Sequence, residues 1–286
     1  MRQGHCWTPL AIGRLVYGLL LGHGFSLRLG LTEHPNLTTT IRHELADSRA
    51  RRGTILPMKR RAQDEDLPVS GKFMGTCALC KLKYPIAEMA AHVVICERRP
   101  AGKAESLHIA VRSPERPEFW MIVETQDKTT LYDLDTFLRK SWLECCGHLS
   151  AFKIGKQTYT DSDAEFGTAD DPLDLNVRLP EVLNPRRKFE YEYDFGSTTD
   201  LVLEVLRRST CKSFTKRVRL LALNNPPTPS CEECGKPATG LCAYCNGMPI
   251  CRACVKKHEC GDDAICPIVN SPRAGVCGYT GPTISI

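Results

Sequence analysis

The spacing of the cysteines constrains this chain more than any other feature. Near the C-terminus it runs Cys231-x2-Cys234, Cys242-x2-Cys245, Cys251-x2-Cys254, then His258 and Cys260. Eight soft or borderline ligands at that density suit two tetrahedral zinc ions, because a C-x2-C knuckle delivers two ligands from one tight turn. Knuckles alternating in this way favour a cross-brace. Cys231, Cys234, Cys251 and Cys254 would then surround one ion, and Cys242, Cys245, His258 and Cys260 the other; sequential pairing is the alternative. The segment 226–286 has few large apolar residues and cannot bury much core. Structural zinc supplies roughly 10–16 kcal/mol of folding free energy in finger peptides. With every ligand a protein group, no position remains for the water that catalytic zinc holds.

A second pattern stands upstream. Cys77-x2-Cys80 is followed by His92-x3-Cys96, with Tyr84 and Met89 at the apolar positions of a ββα finger, and this predicts a C2HC zinc finger over residues 71–100. If His92 is the seventh helix residue, the base-reading positions fall at Pro85, Glu88 and Ala91. None can make the bidentate contacts that read guanine or adenine. A structural or interaction role is therefore expected.

These assignments use ten of the sixteen cysteines and imply three zinc ions. Metal-spaced cysteines point to a reducing, cytoplasmic setting. Cys6, Cys145, Cys146, Cys211, Cys266 and Cys277 receive no ligand role. Cys145 and Cys146 read as a buried helix end beside Trp142, and Cys266 and Cys277 as free thiols, with a swap into the ligand sets as the alternative. No paired carboxylates, catalytic triad or phosphate loop stands out, and no small-molecule substrate is identified. Asp194-Phe195-Gly196 stands without the other kinase motifs.

The net charge of +5 invites a nucleic-acid reading, but its distribution weakens it. The surplus lies in the first hundred residues; 101–225 carry −2 and 226–286 carry zero. Two local runs remain. Asp161, Asp163, Glu165, Asp170, Asp171 and Asp174 are acidic; Arg207, Arg208, Lys212, Lys216, Arg217 and Arg219 are basic. Solvated faces are the plain reading of both, and contact with nucleic acid along the basic strip is the sharper one.

Residues 1–70 differ from the rest and read as a disordered or artefactual extension, with Met58 an alternative start. The apolar stretch 15–27 is shorter than the ~20 residues of a membrane helix, so no membrane association is expected. Residues 101–225 carry the globular core. Strands are expected over 106–112 and 118–124, a helix over 130–144, a hairpin over 149–160 and a short helix over 177–183. Phe189, Tyr191, Tyr193 and Phe195 alternate with polar residues as in a half-buried strand, and further strands are expected over 201–206 and 218–223. The expected fold is an α+β core with a mixed β-sheet, flanked by the ββα-like finger and the two-zinc cross-brace module.

Residues 130–152, Thr-Thr-Leu-Tyr-Asp-Leu onward from 129, and the run Tyr191-Glu192-Tyr193-Asp194-Phe195-Gly196-Ser197 resemble the plasmid pRiA4b Orf-3-like family. Its members include insertion-sequence passenger proteins labelled as resolvase-like. The resemblance covers roughly 101–225, and relatives with a finger and a cysteine-rich tail are similar over 72–282. It implies an α+β core and a link to mobile elements, without a settled activity; no serine-recombinase pattern accompanies it. Two functions are weighed. One is a non-enzymatic adaptor whose zinc modules bind a protein partner. The other is nucleic-acid binding through the basic strip and the finger flanks Lys81, Lys83, Arg98 and Arg99. A weaker third is an enzyme centred on the acidic run or on Cys145 and Cys146.

Overall fold

Residues 106–126 explain the architecture. Strand β4 (Trp120–Gln126) is buried along almost its whole length, as a strand with both faces covered must be. The computed structural model describes residues 73–161 and 172–284, and the expectations for 1–70 and for Asp163, Glu165, Asp170 and Asp171 fall outside them. In chain order the elements are β1 (Met74–Cys77), β2 (Lys83–Pro85), α1 (Ile86–Ile95), β3 (Ala104–Arg112), β4, α2 (Leu131–Leu138), β5 (Ser150–Ile154), β6 (Gln157–Thr160), β7 (Leu173–Asp174), α3 (Leu179–Val182), β8 (Lys188–Tyr193), β9 (Thr199–Cys211), β10 (Val218–Asn224), β11 (Gly240–Cys242), β12 (Met248–Ile250), α4 (Arg252–Val255) and β13 (Ile265–Cys266).

Strands β1 to β10 form one sheet in the order β2-β1-β10-β4-β3-β9-β8-β5-β6-β7. It is a mixed sheet: β6 and β7 pair in parallel, while β3 pairs antiparallel with both β4 and β9. Few helices accompany it. The finger-like segment is continuous with this sheet, because β1 pairs with β10 from Gly75↔Asn224 to Cys77↔Ala222. Gly75 is required there. A Cβ would lie 2.3 Å from the Trp120 ring and 2.6 Å from the Leu223 carbonyl.

Alternation along β4 divides the core. Met121 and Val123 join Leu107, Ile109 and Val111 of β3 under Leu131, Leu134 and Leu138 of α2. Trp120 and Ile122 point the other way, against Ile86, Met89 and Val93 of α1. Each fully buried apolar side chain of this size contributes about 1.5–3 kcal/mol. The helix expected over 130–144 is α2 followed by a π-helical turn, Arg139–Leu143. Its start is a capping box: Thr130 Oγ1 accepts from Asp133 N at 3.1 Å, and Asp133 Oδ2 accepts from Thr130 N at 3.0 Å. Thr130→Ala should cost about 1 kcal/mol, read as a lower urea midpoint with an unchanged slope.

Strand β9 is longer than the expected 201–206. It carries Arg207 and Arg208 in the ladder opposite His108 and Leu107 of β3. Phe195 lies beyond β8 and is exposed, because Asp194 turns the chain with φ 66°. The tail after β13 docks on the core. Helix ends leave carbonyls unpaired, and here Ser271 Oγ donates to Trp142 O at 2.5 Å and Thr283 N to Lys140 O at 2.9 Å. Asn224 Nδ2 donates to Asn270 Oδ1 at 2.7 Å, and Asn270 Nδ2 donates to the Asn224 main-chain carbonyl at 3.0 Å.

Candidate metal centres

The segment 77–96 builds its group from a turn and one helix face. Cys77 O accepts from Lys81 N at 3.0 Å, and Cys77 N donates to Leu82 O at 2.9 Å, closing a tight turn with Lys81 at φ 69°. Helix α1 starts at Ile86, so His92 is its seventh residue, and Cys96 caps its end. Cys80 Sγ lies 3.1 Å from His92 Nε2, and the ligand atoms of Cys77, Cys80, His92 and Cys96 all lie within 4.8 Å of one another. Met89 is fully buried beneath them.

In the C-terminal segment the groups interleave. Cys231, Cys234, Cys251 and Cys254 gather in one cluster, and Cys242, Cys245, His258 and Cys260 in another, each with ligand atoms within 4.8 Å. A zinc tetrahedron with bonds of ~2.3 Å to sulfur has sulfur–sulfur edges of ~3.8 Å and sulfur–nitrogen edges slightly shorter. Cys234 and Cys251 sulfurs are 3.5 Å apart, and Cys245 lies 3.6 Å from Cys260 and 3.5 Å from His258 Nε2. The His258 Nδ1 faces Glu233 Oε1 at 3.3 Å. That is the carboxylate support a metal-bound imidazole commonly receives on its other nitrogen. The donor sets, three cysteines with one histidine or four cysteines, fit zinc.

The local electrostatics favours partial ionisation. Burial opposes it at Cys231, but backbone N–H groups of Cys251, Cys234 and Glu233 draw that thiol down to about 6. At Cys242 burial is likewise outweighed, by His258 and the Cys245 backbone, and the thiol falls to about 7. Hydrogen bonds with Cys260 and Cys242 push Cys245 up to about 12. Crowded thiols cannot all ionise without a cation, and a divalent ion removes that restraint.

The structure adds one group and corrects one expectation. Among the described residues four clusters could hold a metal ion, one more than the spacing points to. The fourth joins Cys145, Cys146 and His148 to Cys277 of the tail. Cys145 and Cys146 are not a buried helix end: Cys145 is half-buried and Cys146 exposed, because the π-helical turn gives way to extended backbone at Glu144. Cys277, read as a free thiol, lies beside them. Spacing could not reveal this group, since Cys277 stands more than a hundred residues from the other three; the Cys-Cys-Gly-His run was the available signal. Cys211 is buried in β9 and Cys266 half-buried in β13, outside any of the four clusters.

The basic strip divides. Arg207, Arg208, Lys212, Lys216 and Arg217 are exposed. Arg219 turns inward and pairs with Glu124, as does Arg99 at 2.6 Å. Lys81, Lys83 and Arg98 remain exposed. Arg207 and Arg208 line an open groove that Glu105 and Asp127 share. Glu124 itself is fully buried on the α1 face of β4, directly across from His108 of β3 and Arg219 of β10. Burial would raise its pKa, but hydrogen bonds from His108, Arg99 and Arg219 hold it well below the usual carboxylate range.

These features define a large mixed sheet with few helices, bearing cysteine–histidine clusters able to hold metal ions. Residues 103–238 match the family described as plasmid pRiA4b ORF-3-like protein, a span that runs from β3 through the first C-x2-C knuckle of the C-terminal segment. A crystal structure of a protein of unknown function from Methanosarcina mazei Go1 is similar at 17% identity, with a TM-score of 0.36, covering 43% of this chain and 70% of that one. No curated protein matches the chain. No helix among the described residues is long and apolar enough to cross a membrane.

Proposed function

We propose that this is a zinc-scaffolded, non-enzymatic adaptor that acts in the cytoplasm in association with a mobile element, the ions holding surfaces that bind a protein partner. One observation carries the reading: the outward face of α1 presents Glu88, Ala91 and Ile95, the last 77% exposed, and no group that makes the bidentate contacts reading guanine or adenine. Leu82, at 53% exposed, and Tyr244, at 77%, add apolar surface beside the two cysteine-rich regions. Each zinc is fully ligated by protein groups and serves structure. The plasmid reading frame that describes the matching family supports the mobile-element setting.

Native mass spectrometry of the protein purified from its own cells tests this. The expected result is a protein partner at fixed stoichiometry, lost in Ile95→Asp while the zinc count is unchanged. The second reading, phosphate-backbone binding, rests on the exposed arginines of β9. It predicts affinity for nucleic acid that falls steeply with salt through counterion release. Arg207→Ala and Arg208→Ala would then each lower the salt slope by about one. That result, without a protein partner, overturns the adaptor.

A further inference from the structure

We propose a fourth metal site, a Cys3His zinc site formed by Cys145, Cys146, His148 and Cys277, which fastens the C-terminal tail to the end of the core helix. The proposal stands on geometry and is independent of the adaptor reading.

Cys146 Sγ lies 3.8 Å from Cys277 Sγ, and His148 Nε2 lies 3.4 Å from Cys277 Sγ. For zinc bonds of ~2.3 Å to sulfur and ~2.0–2.1 Å to nitrogen, the edges of a tetrahedron are ~3.8 Å and ~3.6 Å. A disulfide would need the sulfurs at ~2.05 Å. The four ligand atoms lie within 4.8 Å of one another, as in the three clusters whose spacing is legible in the sequence.

The surroundings are those of a ligand site. His148 turns its Nδ1 to Asp194 Oδ1 at 3.6 Å, matching the arrangement of His258 and Glu233. Asp194 is held in turn by Arg273, whose side chain is fully buried and whose Nη2 lies 2.5 Å from Asp194 Oδ2 and 3.6 Å from Cys145 Sγ. The loop bearing the three core ligands is prearranged. Arg139 donates to His148 O at 2.6 Å, and Glu144 Oε1 accepts from Gly147 N at 2.6 Å and from Tyr193 OH at 3.1 Å. Two non-glycine residues in the left-handed region, Asp194 at φ 66° and Cys277 at φ 48°, each face His148. Such backbone persists where the surroundings over-determine it, commonly at functional sites.

The test is native mass spectrometry of the intact chain expressed with Zn2+, beside Cys277→Ser and Cys146→Ser variants. The wild type should carry four zinc ions and each variant three. Cys146 is exposed, so its variant keeps the fold if Cys277→Ser does not. In the wild type, alkylation of Cys146 and Cys277 should wait for chelator. Variants that keep the wild-type count, or a Cys146–Cys277 disulfide in the freshly purified protein, would each overturn the site. Zinc lost from the three other clusters lowers the wild type and the variants alike, so the difference of one ion between them reports this site alone.

Discussion

Stripping metal from the intact protein with a strong chelator at neutral pH is expected to unfold residues 230–266 while the ten-stranded sheet stays folded. The asymmetry follows from what each region buries. In the C-terminal segment the apolar cluster consists of Cys231, Ile250 and Cys251, with Met248, Cys254, Val255 and Ile265 packed partly against it. Three of those seven are the proposed ligands themselves. Strands β11 and β12 have three residues each and β13 two, far below what stands alone in water. Two ions at roughly 10 kcal/mol or more apiece therefore supply nearly all of its stability. The core sheet instead rests on Trp142, Phe152, Tyr191, Leu203 and their neighbours, all fully buried. Hydrogen exchange read by mass spectrometry should show amides of β11 and β12 losing protection to near the unfolded rate. Those of β3, β4 and β9 should keep theirs. The N-terminal cluster should respond in between, with α1 fraying while β1 stays paired to β10. Full protection of 230–266 after verified metal removal would defeat this account.

What could be read from the residues tracks the range of the interactions. The knuckle at 77–80 and the helical pair His92 and Cys96 declare themselves locally, because ligand geometry fixes their separation along the chain. Strands β3, β4, β5, β6 and β8 were legible through short apolar runs and period-two alternation. The fusion of the 74–77 strand into the core sheet was not, since nothing local in Met-Gly-Thr-Cys names β10 as its neighbour. Nor was the docking of Arg273. A lone arginine in a polar tail gives no sign that it will be buried against Asp194, Ser197 and Thr199. The fourth cluster failed for the same reason, its last ligand arriving from residue 277. Glu124 left a weak trace: a single charge closing an otherwise apolar strand, Trp-Met-Ile-Val-Glu, must find partners if both faces are covered. Which arginines it finds depends on strand order, and strand order is a long-range property.

Glu124→Gln should destabilise the protein by about 3 kcal/mol at neutral pH, toward the lower end of the ~3–5 kcal/mol seen when one partner of a buried ion network is removed. The substitution keeps shape and one acceptor oxygen but removes the negative charge between Arg99 and Arg219. Arg99 Nη2 retains Ser209 Oγ at 3.0 Å and Thr210 O at 2.7 Å, and Arg219 retains its stacking on the Phe214 ring at 4.3 Å. Those contacts, with the partial exposure of both guanidinium groups, hold the cost near the lower figure. The pH dependence has a definite sign. The folded-state pKa of Glu124 lies below its unfolded value of ~4.3. Its contribution is therefore complete above that unfolded value and is lost as pH falls through the folded one. Urea denaturation of wild type and variant should thus separate by the full amount at pH 7 and converge progressively below about pH 4. Any metal loss in acid is common to both proteins and cancels in the difference. Replacing Arg99 and Arg219 by methionine in the Glu124→Gln background should recover much of the loss, because the penalty lies in the charges left without a counterpart. A difference that stays constant from pH 7 to pH 3, or no recovery in the triple variant, would mean that β4 responds to altered packing and not to charge.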